Sequence, residues 1–137
     1  MISTIRKTYV NSFNVLINVL RGKFPVEAKL KNGKSVHLKT FNAMYFIAHV
    51  NEFTSIQYDV NEDIVILSDL KHNNEEIKFS GGINNGDLIH VFLKDDYSRL
   101  SVLGKTVIDI GANIADTSIY FVVHGARKVI GLEPFPK

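Results

Sequence analysis

Apolar side chains recur at intervals of three and four residues over the first twenty positions of the chain. They are Ile2, Ile5, Tyr9, Phe13, Leu16, Ile17 and Leu20. This spacing places side chains on one face of a helix. Gly22 and Pro25 follow, and both residue types interrupt helices. The pattern therefore predicts one helix over residues 2–20, whose apolar stripe packs against its own domain.

Farther along the chain the period changes to two. Apolar and polar residues alternate from residue 26 to residue 38, with Asn32-Gly33 in the middle. Because Asn-Gly tolerates the positive φ angles of a tight turn, this segment predicts a β-hairpin. A helix is then predicted over residues 41–53, followed by short strands in the segments IQYDV, DIVILSD and EIKFSG. The glycine-rich segment GGINNGD that follows is interpreted as a turn or as a loop over a ligand site.

A βαβ pattern begins after Gly104. Residues 107–110 and 129–132 are short apolar runs, with a glycine turn and a helical stretch over residues 114–124 between them. Gly125 occupies the position of a helix C-terminal glycine. A strand, helix and strand in this order predict a parallel, right-handed unit. We therefore divide the chain into an N-terminal α+β region, residues 1–103, and a βαβ unit, residues 104–137.

The candidate chemistry lies at the ends of the two strands of this unit. Gly111 directly follows the first strand, where a glycine lets a ligand approach the backbone and the amides of a helix N-terminus. Glu133 follows the second strand, where a carboxylate can accept the hydroxyl groups of a ribose. These positions predict a nucleoside-containing ligand across the carboxyl ends of the strands.

Two acidic residues favour one nucleoside over another. A dinucleotide fingerprint, G-x-G-x-x-G, would place Asp116 at its third glycine, and Asp109 lies two residues before Gly111. Two carboxylates beside a diphosphate are electrostatically unfavourable. S-adenosylmethionine carries a sulfonium and an ammonium instead, and its carboxylate suits the helix N-terminus. The charges thus favour S-adenosylmethionine over NAD.

The segments VIDIGANIADTSIYF and VIGLEPFP resemble the cofactor-binding start of FkbM-type methyltransferases, a branch of the class I Rossmann-like superfamily. The matching residues are Asp109, Gly111, Ala112, Asn113, Asp116, Thr117, Glu133 and Pro134. The resemblance implies that Asp109 and Gly111 line the methionine moiety and that Glu133 binds the ribose. It departs from the family pattern at Ala115, where glycine is usual and where the extra methyl group would crowd the cofactor slightly.

The resemblance also implies an α/β fold in which residues 104–137 begin a larger Rossmann-like sheet. On this interpretation the chain is a truncated N-terminal fragment, inactive alone and prone to self-association through an exposed sheet edge. The implied reaction is O-methyl transfer to a small-molecule or sugar hydroxyl, with the acceptor and any catalytic base unidentified. A non-catalytic interaction module and a fragment of an NAD-dependent oxidoreductase remain as alternatives.

Composition excludes several other classes of function. The chain has no cysteine, and its five histidines show no i, i+4 pairing, so we expect no metal site. A net charge of +2 with no concentrated basic face argues against a nucleic-acid partner. The sequence has no long apolar run, so we expect no membrane association and a cytoplasmic protein. His90 is interpreted as a packed or surface residue. Tyr97 is interpreted as a core tyrosine, with contact to the ligand as the alternative.

Overall fold

The computed structural model describes residues 2–51, 53, 55–68, 76–81, 83 and 88–135. Helices and strands both contribute to this part of the chain, which has a mixed α/β composition. No helix among these residues is long and apolar enough to cross a membrane. Most of the predicted loop over residues 81–87 lies outside the described residues.

The single helix predicted at the N-terminus is wrong, because the chain forms two helices. These are α1, Ile2–Thr8, and α2, Ser12–Leu20. Between them, Tyr9 pairs with Leu30 in an isolated antiparallel bridge, and the Val10 N–H donates to the carbonyl of Lys29 at 2.7 Å. The buried Tyr9 hydroxyl also donates to the Met44 carbonyl at 2.9 Å. The Val10 N–H is thus bonded to Lys29 and not to the Arg6 carbonyl that a continuous helix would use, so the helix is interrupted.

The break also changes which apolar residues reach the core. Val15 of α2 is fully buried, whereas Phe13, which the sequence places on the packed stripe, is 77% exposed. Leu20 is exposed as well. The periodicity therefore locates helical residues correctly but overstates the buried face of α2.

The predicted hairpin and the helix after it are confirmed. Strand β1, Val26–Lys29, pairs antiparallel with β2, Ser35–Leu38. Helix α3, Phe41–Val50, begins where the Thr40 hydroxyl accepts a hydrogen bond from the Ala43 N–H at 3.1 Å, a typical N-cap. It ends at Val50, three residues before the predicted end.

The three short strands that the sequence predicts after α3 form one antiparallel sheet in the order β3-β4-β5. Their bounds are Ile56–Asp59, Ile64–Leu67 and Ile77–Ser80. Val65 and Leu67 of the central strand are buried with Phe79 of β5 and Phe46 of α3. This cluster is the core of the middle of the chain.

The predicted βαβ unit is also present. Strand β6, Thr106–Ile110, pairs in parallel with β7, Lys128–Leu132, and Asp109 lies opposite Gly131. The connecting helix α4, Asp116–Val123, starts two residues later than predicted. Gly125 follows the C-cap residue His124 with φ of +86°, so the predicted role of this glycine in ending the helix is confirmed.

Aromatic packing joins this unit to the preceding chain. A π-helical turn, Ile89–Leu93, carries Phe92, whose ring centroid lies 5.9 Å from those of both Phe79 and Tyr120. Tyr97 packs on Phe121 at 5.5 Å. The π-helical turn therefore lies between the antiparallel sheet and α4.

Candidate functional site

The turn between β6 and α4 has an unusual backbone. Gly111, Asn113 and Ala115 all have positive φ angles, of +81°, +46° and +64°. The N–H groups of Gly111 and Ala112 both donate to the carbonyl of Leu132, at 2.8 and 3.1 Å. The turn is therefore tied to the end of the neighbouring strand, which fixes the position of the N-terminus of α4.

Asp109 connects strand β6 to the first turn of α4. Its Oδ2 atom accepts hydrogen bonds from the hydroxyls of Thr117 at 2.8 Å and Ser118 at 2.7 Å. Hydrogen bonds to a carboxylate are stronger than those between neutral groups, and a negative charge is favourable near a helix N-terminus. Asp109 thus has a structural role in this contact, and its Thr117 partner also belongs to the predicted site.

Glu133 lies beside the glycine turn at the carboxyl edge of the sheet. Its Oε2 atom accepts from the Asn113 N–H at 2.8 Å, and its Oε1 atom accepts from the Phe135 N–H at 2.9 Å. The side chain is exposed. Since each carboxylate oxygen accepts two hydrogen bonds, the group keeps capacity for hydroxyl donors from outside the chain.

The remaining predicted site residues differ in accessibility. Asp116, the first residue of α4, is only 4% exposed, whereas Pro134 lies on the surface. Ala112 is buried: a Cβ atom added to Gly131 would lie 3.1 Å from the Ala112 Cβ. The Ala112 side chain therefore packs against β7, and its contribution to a ligand site is limited to the backbone.

A cavity of about 220 Å³ opens beside the glycine turn. Four predicted site residues line it together with four residues of the preceding segment. They are Gly111, Asn113, Asp116 and Thr117, then His90, Val91, Asp96 and Tyr97. Asp109 and Glu133 are not part of this lining. The cavity therefore brings together half of the predicted residues with a wall that the sequence did not predict.

The lining residues that the sequence did not predict belong to the π-helical turn and the residues after it. The His90 Nδ1 atom lies 3.0 Å from Oδ2 of Asp96, six residues away. Residues six apart do not face each other on a helix, and in a strand they lie about 20 Å apart, so no regular element brings this pair into contact. Tyr97 both packs on Tyr120 at 6.0 Å and lines the cavity, so the two interpretations of this residue are compatible.

Tyr120 supports this wall from α4. Its hydroxyl donates to Asp95, and its ring stacks on that of His124 with 3.9 Å between centroids. Burial, reinforced by the hydrogen bond and the charge of Asp95, raises the pKa of Tyr120 to about 12. The phenol is therefore a protonated donor at neutral pH and holds Asp95 against α4.

Two larger cavities lie away from the glycine turn. Their volumes are about 440 and 360 Å³, and both lie between the hairpin and β3, where Val36, Gln57 and Tyr58 line them. No predicted site residue lines either of them. Among the described residues, no group of three histidine, aspartate or glutamate side chains is arranged to hold a metal ion.

No model of a protein family, no curated protein and no solved structure matches the chain. The resemblance to FkbM-type methyltransferases therefore rests on the residues of the glycine turn and of the EP dipeptide alone, and the function that it implies stays a prediction.

Proposed function

We propose that this chain binds S-adenosylmethionine across the carboxyl ends of β6 and β7, as part of a Rossmann-like methyltransferase that acts on a hydroxyl of a small molecule or sugar. The observation that carries the proposal is the position of Glu133, which contacts the backbone of the glycine turn at Asn113. A ligand that reaches from the turn to this carboxylate spans the adjacent ends of two parallel strands.

The distribution of charge supports a cationic rather than an anionic reactive end. Asp116, which is almost fully buried, is one of the residues that line the cavity, and Asp109 accepts a hydrogen bond from the lining residue Thr117. A sulfonium or ammonium is stabilised by these carboxylates, whereas a diphosphate is repelled by them. The single carboxylate of the methionine end is matched by the positive end of α4.

The size of the cavity supports an orientation in which the methionine end of S-adenosylmethionine lies in the cavity. A volume of about 220 Å³ is below the usual range of pockets that enclose a whole ligand, about 300–1,000 Å³. It suits the methionine end alone, with the adenosine lying outside along the end of β7. Glu133, which is near the turn but outside the cavity lining, is then placed for the ribose hydroxyls.

Binding to the 137-residue chain tests the proposal directly. Calorimetry is performed with S-adenosylmethionine, with its demethylated product S-adenosylhomocysteine, and with NAD. We expect both sulfur ligands to bind more tightly than NAD, because NAD places a diphosphate beside Asp116. Preferential binding of NAD contradicts the charge argument and the proposed function with it.

Replacing Glu133 tests the ribose contact. Glu133→Ala is expected to weaken binding of S-adenosylhomocysteine by about 1–3 kcal/mol, since charge-assisted hydrogen bonds to the ribose are lost. Glu62→Ala is the matched control, because Glu62 is also an exposed glutamate but lies in the turn between β3 and β4. Equal affinity in both variants excludes Glu133 as a ligand contact.

A further inference from the structure

The second wall of the cavity is built by an irregular stretch of backbone. The π-helical turn over Ile89–Leu93 is closed by a hydrogen bond from the Lys94 N–H to the Ile89 carbonyl at 2.9 Å. Asp95 follows with a positive φ of +54°. π-Helical turns are rare and frequently occur at functional sites, and strained non-glycine residues cluster there too.

The irregular backbone brings the side chains of His90 and Asp96 together. The reversal at Asp95 returns the chain so that the Asp96 N–H donates to the His90 carbonyl at 3.2 Å. The same reversal brings Oδ2 of Asp96 to 3.0 Å from His90 Nδ1. The hydrogen bond between Asp95 and Tyr120 holds the reversal in place. The backbone thus fixes a histidine–aspartate pair at the cavity.

The hydrogen bonds of His90 assign its tautomer. Lys94 Nζ lies 3.2 Å from Nε2 of His90, and an ammonium can only donate. Nε2 is therefore the acceptor, and the ring proton is on Nδ1, where it is donated to Asp96. A neutral imidazole with its Nδ1–H held by a carboxylate and an accepting Nε2 is the arrangement of a general base.

We propose that His90 is the catalytic base for the methyl acceptor and that Asp96 is its positioning residue. The inference rests on the proposed function, and it identifies the acceptor as a protonated nucleophile such as a hydroxyl. The acceptor hydroxyl replaces Lys94 as the donor to Nε2 of His90. Its proton passes to Nε2 as its oxygen bonds to the methyl carbon. The carbon–sulfur bond breaks with its electron pair kept by sulfur. The products are the methyl ether, S-adenosylhomocysteine and an imidazolium, which returns its proton to solvent from a half-exposed position.

The shared cavity makes a prediction that needs no turnover. His90 lines the same space of about 220 Å³ as the glycine turn, so a charge on a ligand bound there acts on the His90 ring. S-adenosylmethionine and S-adenosylhomocysteine differ by one methyl group and one positive charge. A sulfonium that faces the ring polarises it, whereas the neutral thioether does not.

The experiment follows the histidine ring signals of the 137-residue chain by NMR at one pH, with each ligand in turn. The signals of His90 are assigned from the His90→Gln variant. We expect the ring signals of His90 to differ between the complexes with S-adenosylmethionine and with S-adenosylhomocysteine, because only the first ligand places a positive charge at the ring. His37, an exposed histidine on the hairpin strand β2, is the internal control, and its ring signals are expected to be the same with both ligands.

Other ionisable groups near the ring are the same in both complexes, so they cancel in the comparison. They are Lys94 and Asp96, which contact the ring, Asp95 and Tyr97 in the adjacent segment, and Asp116, which lines the same cavity. Asp96→Ala is measured in addition by imidazole ¹⁵N shifts. We expect this variant to lose the fixed Nδ1–H form of His90, and an unchanged tautomer overturns the role of Asp96.

The outcomes separate this inference from the proposed function. If both ligands shift the amide signals of Gly111 and Asn113 but the His90 ring signals are the same with each, the sulfonium does not face His90. The inference is then wrong while cofactor binding stands. If neither ligand shifts any signal at millimolar concentration, the proposed function fails and the inference falls with it.

Discussion

At the scale of single residues, the glycine turn shows why one departure from the family pattern matters. The sequence suggested that the methyl group of Ala115 would crowd the cofactor. The structure gives a different reason for a glycine there, since Ala115 has φ of +64° in the left-handed region. An L-residue with a side chain is disfavoured in that region by about 1–2 kcal/mol, whereas glycine is not. The effect of Ala115 is therefore on the backbone.

Ala115→Gly is expected to stabilise the folded chain by about 0.5–1 kcal/mol, because relief of the left-handed strain exceeds the added entropy of the unfolded glycine. Chemical denaturation of both proteins measures the change. Ala126→Gly, in a residue with no positive φ, is the control and is expected to be neutral or destabilising. Destabilisation by Ala115→Gly would show that packing of the Ala115 methyl group stabilises the folded chain by more than the left-handed backbone conformation destabilises it.

At the scale of elements, the βαβ unit depends on close contact between α4 and β7. Gly131 lies on the strand beneath the helix, and an added Cβ atom would come within 3.1 Å of both the Ala112 Cβ and the Ser118 Oγ. Such distances are shorter than normal contacts, so Ala112 and Ser118 must each shift by a few tenths of an ångström. Because Ser118 also donates to Asp109, this movement would disturb the strand-to-helix contact at the candidate site.

Gly131→Ala is expected to destabilise the chain by about 1–3 kcal/mol through overpacking. The double variant Ala112→Gly with Gly131→Ala moves the methyl group from one side of the contact to the other. We expect it to recover part of the loss, and a double-mutant cycle of unfolding free energies measures the coupling. Strict additivity of the two single changes would refute the direct contact.

At the scale of the whole molecule, one face of the parallel strand pair is covered by α4 and the other is largely solvent-exposed. On the uncovered face, Ile108 is 62% exposed and Ile110 is 82% exposed, and Leu132 is exposed as well. Parallel strands are normally covered on both faces. Contiguous apolar surface of this kind favours association with another apolar surface.

We therefore expect the 137-residue chain to associate with itself in a concentration-dependent manner. Ile110→Lys should shift the population toward the monomer, as measured by analytical ultracentrifugation. Phe13→Lys is the matched control, because Phe13 is almost as exposed but lies on α2. An equal effect of both substitutions would indicate general hydrophobic association rather than pairing through the strand face.

The buried tyrosines predict a loss of stability at high pH. Burial, together with Asp95, raises the pKa of Tyr120 to about 12, and burial also raises the pKa values of Tyr9 and Tyr58. An unfolded tyrosine has a pKa of about 10. Above that pH the unfolded state loses its protons first, so the free energy of unfolding decreases as the pH rises from about 10 to 12. Denaturation at a series of pH values measures this slope.

Tyr120→Phe removes one of these groups and is expected to make the decrease less steep. His37→Gln, which changes an exposed residue of the hairpin, serves as the control for general effects of substitution. A slope unchanged by Tyr120→Phe would mean that this phenol ionises equally well in the folded and unfolded states.

Local sequence determined the elements whose signals are local. Asn32-Gly33 specified the hairpin turn, Thr40 specified the start of α3, and Gly125 ended α4, because turn and cap preferences depend on neighbouring residues. The apolar runs around Ile108 and Ile130 likewise specified the parallel pair. The positions of Asp109 and Glu133 at the carboxyl edge follow from this pairing, since both residues come at the ends of its strands.

Tertiary structure alone decided the features that depend on distant contacts. Helical periodicity runs through Tyr9, but pairing with Leu30 breaks the helix there, and no local pattern encodes that bond. The Ala112 side chain is buried because it packs against Gly131, which lies far along the chain. The wall formed by His90 and Asp96 requires a π-helical turn and a positive φ at Asp95, which the hydrogen bond from Tyr120 on α4 supports. Local preferences set the strands and turns, whereas the second wall of the cavity exists only because separate elements pack together.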